Sequence, residues 1–353
     1  MFSAFAGKRV FLTGDTGFKG SWLGLWLTEL GAEVVGLALP AKPENLLAGA
    51  IREAKVFRHI DADIRDQEPV RRAMAEVKPD FVFHLAAQAL LRRSYAEPQE
   101  TFATNLLGSV NVLEAVRATP GVQALVFVTS DKCYLNREIH RGYVEEDELG
   151  GHDPYSASKA CAEIAFRAYN DSFLANSGTG AASVRAGNVI GGGDRSQDRI
   201  VPDSIAALEA GKPVLLRNPD AIRPWQHVLD PLCGYLQLAV ALVRNPAGFR
   251  GSWNFGPAEK SVRTVKDLAA AIVAAWGNGR IECQPDPAGP HEATLLYLSS
   301  AKAQRLLGWR PLWEFDRAAH ETTRWYRAVK DGTDPLAITR AQILDYSREL
   351  VVA

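Results

Sequence analysis

The sequence predicts an α/β protein: a doubly wound parallel sheet with a smaller α/β lobe interleaved toward the C-terminal end. Three observations predict it. Short, continuously apolar runs recur through the first half, as parallel strands covered on both faces require. Stretches of helical periodicity separate those runs. A glycine cluster, Gly14-Asp15-Thr16-Gly17-Phe18-Lys19-Gly20, stands between the first apolar run and the first helix.

The elements follow in order. Residues 8–13 read as strand 1, and a helix runs through about Leu30. Residues 33–39 and 58–63 read as strands 2 and 3, and a helix begins near Asp66. Residues 80–86 form the fourth strand, 98–117 a long helix, Ala124–Val128 the fifth strand and 181–185 a further one. After about Gly187 the rhythm changes. Residues 191–194 are a loop, 198–210 a helix, and Val214–Leu216 a short strand. Amphipathic helices follow at 264–276, 299–307 (stopped by Gly308 and Pro311) and 317–330. Residues 225–243 read as a return to the first lobe. The expected division is 1–186 with about 222–256 in one lobe, and about 187–221 with 257–353 in the other.

Composition narrows the class. The chain has 353 residues, enough for one large domain or two. Lys and Arg number 40 against 41 Asp and Glu, so no basic surface suggests nucleic acid or a membrane. No apolar run approaches the ~20 residues of a membrane span, and the first residues are too short and uncharged for a signal peptide. Four scattered cysteines without a CxxC pair fit a reduced, cytoplasmic protein. The scattered histidines give no metal spacing.

The glycine cluster carries the first chemistry. Gly14, Gly17 and Gly20 permit a tight turn and close approach of a diphosphate to a helix N-terminus, where N–H groups and the dipole stabilise anions. The strand–loop–helix context makes this a dinucleotide site on a Rossmann-type sheet, with Thr16, Phe18 and Lys19 in the same loop. No acidic residue ends strand 2 and no arginine cluster awaits a 2′-phosphate, which favours NAD over NADP. Asp63, followed by Ile64, is placed for the adenine end; the alternative is a helix cap or solvated loop residue.

Tyr155 and Lys159 are four apart, hence on one helical face. A tyrosine of pKa ~10 is a poor base at neutral pH, and lowering it to ~7 requires about 4 kcal/mol. The Lys159 ammonium and an oxidised nicotinamide ring are the expected sources. The strand 124–128 ends in Thr129-Ser130-Asp131-Lys132. Ser130 is placed to position a substrate hydroxyl. An alcohol oxidised to a ketone acidifies the neighbouring C–H, so a base and an acid there can eliminate water. Asp131 as acid must be protonated and Lys132 as base must be neutral; their opposite charges push the other way, and the alternative is a pair that exchanges a proton within a network. The bland alternative is a surface ion pair. Asn188 and Arg223 are candidates for a substrate diphosphate. Arg185, Arg199 and Arg217 are weaker ones. Residues 290–292, with His291, are candidates for the nucleotide pocket. Trp225 is a candidate for base stacking or for core packing.

The chain resembles the extended short-chain dehydrogenase/reductases over nearly all its length, through the glycine loop, Tyr155-x3-Lys159 and Leu307-Gly308-Trp309-x-Pro311. Within them it resembles the CDP-glucose 4,6-dehydratases. The matching stretches are 13–23, 129–134, 150–156, 185–194 and 223–229. The resemblance implies tightly held NAD, with Leu85, Ala86, Ala87 and Asn105 as further cofactor contacts and Gln88 as a substrate contact. It implies that Tyr155 takes the C4 hydroxyl proton, Lys132 the C5 proton, and Asp131 protonates the departing C6 hydroxyl. A homodimer or dimer of dimers is also implied. The chain departs from the family pattern at Asp15 (usually histidine), Ala89, Arg93, residues 139–141 around His140, and Arg195 (usually tryptophan). Most of these are expected near the substrate cleft, and Asp15 is expected to bring a carboxylate toward the cofactor's phosphates. The alternatives are the same chemistry on another sugar nucleotide, a 4-epimerase, or a dinucleotide-sensing interaction protein.

Overall fold

The computed structural model describes residues 2–258, 261–284 and 295–352. Its centre is a seven-stranded, all-parallel sheet. We number six strands in chain order: β1 Arg9–Thr13, β2 Glu33–Ala38, β3 Arg58–Asp61, β4 Phe81–His84, β5 Ala124–Val128 and β6 Gly180–Arg185. The seventh, Gly251–Asn254, returns from the second half to form the edge beside β6. The spatial order is 251–254, β6, β5, β4, β1, β2, β3. The order reverses between β1 and β4, and a crevice opens there at the carboxyl ends of the strands. β4, β5 and β6 are buried throughout, which is why they read as unbroken apolar runs.

The first helix, Phe18–Glu29, is buried from Gly20 to Leu27. Its Gly-Ser-Trp-Leu-Gly-Leu-Trp-Leu run is apolar on every side, so it must be covered on every side. The outer cover is the C-terminal helix Pro335–Val352, which packs on this helix and on Leu46–Glu53. Trp26 meets Tyr346 edge-on at 5.7 Å, and Arg340 Nε donates to Glu29 at 2.7 Å. Neither Leu46–Glu53 nor Pro335–Val352 was expected from the pattern. Pro335–Val352 also packs on the helix Phe315–Lys330, so the chain's end touches both halves of the expected division. The long helix at 98–117 is continuous but contains a π segment, Ala103–Gly108.

The second lobe is built of short pieces. Val214–Leu216 pairs in parallel with Ile281–Cys283, and Ile222–Pro224 pairs antiparallel with Val262–Thr264. Thr264 opens the helix Val265–Trp276 with a capping box to Asp267, and Gly277 closes it at φ 94°. Among the described residues no helix is long and apolar enough to cross a membrane.

Candidate active site

One cleft of about 1800 Å³ opens over the crevice between the lobes. The glycine loop forms its floor at one end. Gly14 has φ 79°, and a Cβ there would lie 2.7 Å from Ala86 N. A Cβ on Gly20 would lie 2.0 Å from the Gly14 carbonyl oxygen. The loop thus folds back on itself only without side chains. Gly17 caps the helix Phe18–Glu29 without a side-chain bond, so the helix's first N–H groups are left for a ligand. Thr13 Oγ1 accepts from Leu85 N and Ala86 N at 3.1 and 3.2 Å and contacts His84 Nδ1 at 2.7 Å, joining the ends of β1 and β4. A cradle closed to side chains at an uncapped helix start fits a dinucleotide diphosphate.

Gly14, Thr16, Gly17, Phe18, Lys19, Gly20, Asp63, Ile64, Leu85, Ala86 and Ala87 all line this cleft. Asp63 is already engaged: both its oxygens accept from Arg65, at 2.8 Å from the backbone and 2.6 Å from Nη2. Asn105, expected as a cofactor contact, does not line the cleft. It is buried in the π segment, where its amide bonds Gln88 N and O (2.8 and 2.9 Å) and Ser158 Oγ (2.9 Å). It supports the loop after β4 from beneath.

The second half of the cleft holds Ser130, Asp131, Lys132, Tyr155 and Lys159 together. Ser130 lies two residues beyond β5 and caps a short 3-10 turn, with its Oγ accepting from Lys132 N at 3.3 Å. Its hydroxyl donates to Asp131 Oδ1 at 2.9 Å, and Lys132 Nζ donates to Asp131 Oδ2 at 2.8 Å. The Asp131 carboxylate is 3% exposed against 30% for the Lys132 side chain, so the pair is no solvated surface bridge. Gly187 leaves room for it: a Cβ there would lie 2.1 Å from Asp131 Oδ2. Asp153 caps the helix Pro154–Ser172 through Ser156 N at 2.8 Å and so sets where Tyr155 leaves the helix start.

Burial pushes the Tyr155 phenol up to about 12; Ser130 and Arg199 pull it down, while Asp131 and Asp153 push it further. Arg199 acts on the phenol from across the cleft. Burial and the Lys19 ammonium lower Lys159 to about 8. Burial and Arg199 lower Lys19 to about 8 in turn.

Of the substrate candidates, Gln88, Asn188, Arg199, Arg217 and Arg223 line the cleft. Gln88 turns its amide onto Leu90 and Thr101. Asn188 is held at φ 51°, and its Nδ2 is buried without a partner. Arg199 donates to Asp194 Oδ2 at 3.0 Å and to the Ala89 carbonyl at 3.2 Å, bridging the two sides of the cleft. Arg217 bonds Asp198 at 2.9 Å. His291 lies outside the described residues. Arg185 is not at the cleft; it forms a buried ion pair with Glu163. Trp225 is 6% exposed at the cleft wall, more core than platform.

Among the family departures, Ala89 and Arg93 line the cleft. Asp15, His140 and Arg195 do not. Asp15 is buried under the loop, its Oδ2 2.6 Å from His59 Nδ1, in space that only a glycine at 36 leaves open. It points away from the diphosphate cradle. Arg195 bonds Glu209 through both guanidinium nitrogens at 2.9 Å and stacks over Tyr326. Sequence reasoning missed Glu163 and the cross-cleft role of Arg199; Glu163, four residues after Lys159, had a readable signal.

The comparisons agree with this geometry. The profile of the family described as GDP-mannose 4,6 dehydratase matches residues 11–322. A CDP-glucose 4,6-dehydratase of Salmonella typhimurium is 46% identical over 96% of each chain. A dTDP-glucose 4,6-dehydratase of Streptomyces griseus is 30% identical, covering 93% of this chain and 97% of that one. Among solved structures, a UDP-glucose 4-epimerase of Thermus thermophilus in complex with NAD superposes with a TM-score of 0.76 at 30% identity, covering 90% of this chain and 99% of that chain. With the glycine cradle, the Tyr155–Lys159 helix and the Asp131–Lys132 pair in one cleft, the chain belongs to the GDP-mannose 4,6 dehydratase family of the extended short-chain dehydrogenase/reductase superfamily.

Proposed function

We propose that this chain is an NAD-dependent nucleotide-sugar 4,6-dehydratase, a hydro-lyase that converts CDP-glucose to CDP-4-keto-6-deoxyglucose and water. The contact of Lys132 Nζ with buried Asp131 Oδ2, beside Ser130, carries this reading. Oxidation of an alcohol alone has no use for such a pair; elimination does. The 46% identity to a CDP-glucose 4,6-dehydratase favours the cytidine nucleotide.

The glycine loop, Asp63, Ile64 and residues 85–87 hold the dinucleotide. When bound, NAD supplies a hydride acceptor and donor and a positive charge beside the phenol. Tyr155 takes the C4 hydroxyl proton, with the Lys159 cation one helical turn on favouring its phenolate; Ser130 and Arg199 offset part of the rise that burial imposes on the phenol. Lys132 takes the C5 proton, and Asp131 gives a proton to the C6 hydroxyl, which leaves as water. That transfer leaves Lys132 one proton richer and Asp131 one poorer. As C6 regains the hydride given up at C4, Lys132 returns its proton to C5, and the proton taken by Tyr155 replaces the one Asp131 gave to water, with Ser130 bonded to both. Asn188, Arg199, Arg217 and Arg223 face the substrate's diphosphate and nucleoside end, with Gln88 fixing the adjoining loop.

Incubation with CDP-, dTDP-, GDP- and UDP-glucose, without added NAD, tests this reading. Loss of one water from the CDP sugar with no net NADH is the expected outcome. Epimerised sugar of unchanged mass would replace the dehydratase by a 4-epimerase, and net NADH without water loss would make it a simple dehydrogenase. We further infer a homodimer acting in the reducing cytoplasm. Leu107 and Ile164, exposed on neighbouring helices, and four unpaired cysteines support this.

A further inference from the structure

A buried carboxylate links the two elements that carry the reacting groups. Glu163 lies four residues after Lys159 and eight after Tyr155, so all three share a face of the helix Pro154–Ser172. Its side chain is 1% exposed. Partners reach it from three strands. Thr129, at the end of β5, donates its hydroxyl to Oε1. Arg185 of β6 donates Nε to Oε1 at 3.0 Å and Nη2 to Oε2 at 2.8 Å, and Ser183 donates to Oε2 at 2.8 Å. Ser252 of the edge strand is 3.4 Å from Oε2. Thr129 immediately precedes Ser130, and Arg185 stands two residues before Gly187, the glycine packed on the Asp131 carboxylate.

We infer that Glu163 is the positioning residue of this active site: it fastens the helix of Tyr155 and Lys159 to the strand ends around Ser130, Asp131 and Lys132, and it sets a carboxylate one helical turn from Lys159. The inference rests on the proposed roles of Tyr155 and Lys159. Four charged or titratable groups face Lys159. Lys19 comes from the glycine-loop helix, His84 from β4, Cys133 from the turn after β5, and Glu163 from its own helix. Burial keeps the Cys133 thiol protonated and drives His84 down to about 3, so both are neutral. Lys19 opposes the Lys159 charge. Glu163 is left as the ionised counter-charge. Burial works against that ionisation, but Arg185 and the bonds from Thr129 and Ser183 hold the Glu163 carboxyl below its ordinary range.

The test is the pH profile of turnover with the cofactor-loaded enzyme, beside thermal melts. Glu163→Gln is expected to lower kcat roughly tenfold with KM little changed, as a misplaced base does. Its alkaline fall should move down by about one pH unit, as loss of a near opposite charge does. Glu163→Asp should restore the position of that limb. Thr129→Val cuts the link to the strand without removing charge, so kcat should fall while the limb stays. Because Glu163→Gln leaves Arg185 buried and unpaired, Glu163→Gln with Arg185→Met supplies a neutral pair that folds; its limb should move as well. A limb that stays in place in both variants overturns the inference. Lys159→Met separates the layers. Inactivity supports the underlying reading, and retained activity sinks it and this inference together.

Discussion

At the scale of single residues, the 2.8 Å contact between Lys132 and Asp131 permits the two halves of the proposed reaction to be separated. Asp131→Asn keeps the shape and removes the acid. Water loss should fall by about 10²–10⁴-fold, the usual worth of a positioned proton donor. Proton removal at Tyr155 should survive, so reduced nicotinamide should build up on the enzyme. Mass spectrometry reads the first and near-ultraviolet absorbance the second; equal loss of both would tie Asp131 to the oxidation step instead. Asp15 gives a second residue-scale prediction. Its carboxylate, and that of Asp61 on the other ring nitrogen, overcome the burial of His59 and hold the imidazole above its ordinary pKa. A raised folded-state value means stability that is complete below the ordinary 6.5 and lost as pH climbs through the higher folded value. Melting temperature should therefore drop between pH 6 and 9 more steeply in the unaltered protein than in His59→Gln. Parallel curves would show that the ring does not change its charge there.

At the scale of elements, the glycine loop shows why some of the site was legible in the sequence. Its function is written in missing side chains, and a missing side chain is visible in a sequence. Gly20→Ala puts a Cβ 2.0 Å from the Gly14 carbonyl. Such overpacking costs about 1–3 kcal/mol, and about 1.4 kcal/mol is a decade of affinity. Calorimetry with NAD should show binding weakened roughly tenfold or more, with the fold intact by circular dichroism; unchanged affinity would move the dinucleotide off this loop. The strands β4 to β6 were legible for a similar reason, since burial on both faces leaves one apolar signature. Other features depended on partners distant in the chain. Asn105 reads as a pocket residue until the π segment turns it under the Gln88 loop. Arg195 reads as a cleft residue until Glu209, fourteen positions on, takes its guanidinium. The helix Pro335–Val352 meets three helices and the Trp313 ring at once, so no single stripe marks its buried side.

At the scale of the whole molecule, the helices behind the active site present apolar side chains outward. The helix Pro154–Ser172 packs against the 98–117 helical stretch. Leu107 is 59% exposed on one and Ile164 49% on the other. Isolated exposed leucines need no explanation, but these two stand on the elements that place Tyr155, Lys159 and Asn105. A second copy bringing the same pair of helices would cover both by two-fold symmetry. It would also stiffen the helix whose inner face bears Tyr155, Lys159 and Glu163. Leu107→Glu with Ile164→Glu is therefore expected to give a folded monomer by light scattering. Its turnover per chain should be reduced, and reduced more in kcat than in KM, because the loss is one of placement and not of binding. A variant that stays dimeric would put the interface elsewhere. A monomer with full turnover would show that the Glu163 network holds the catalytic helix without help from a neighbour.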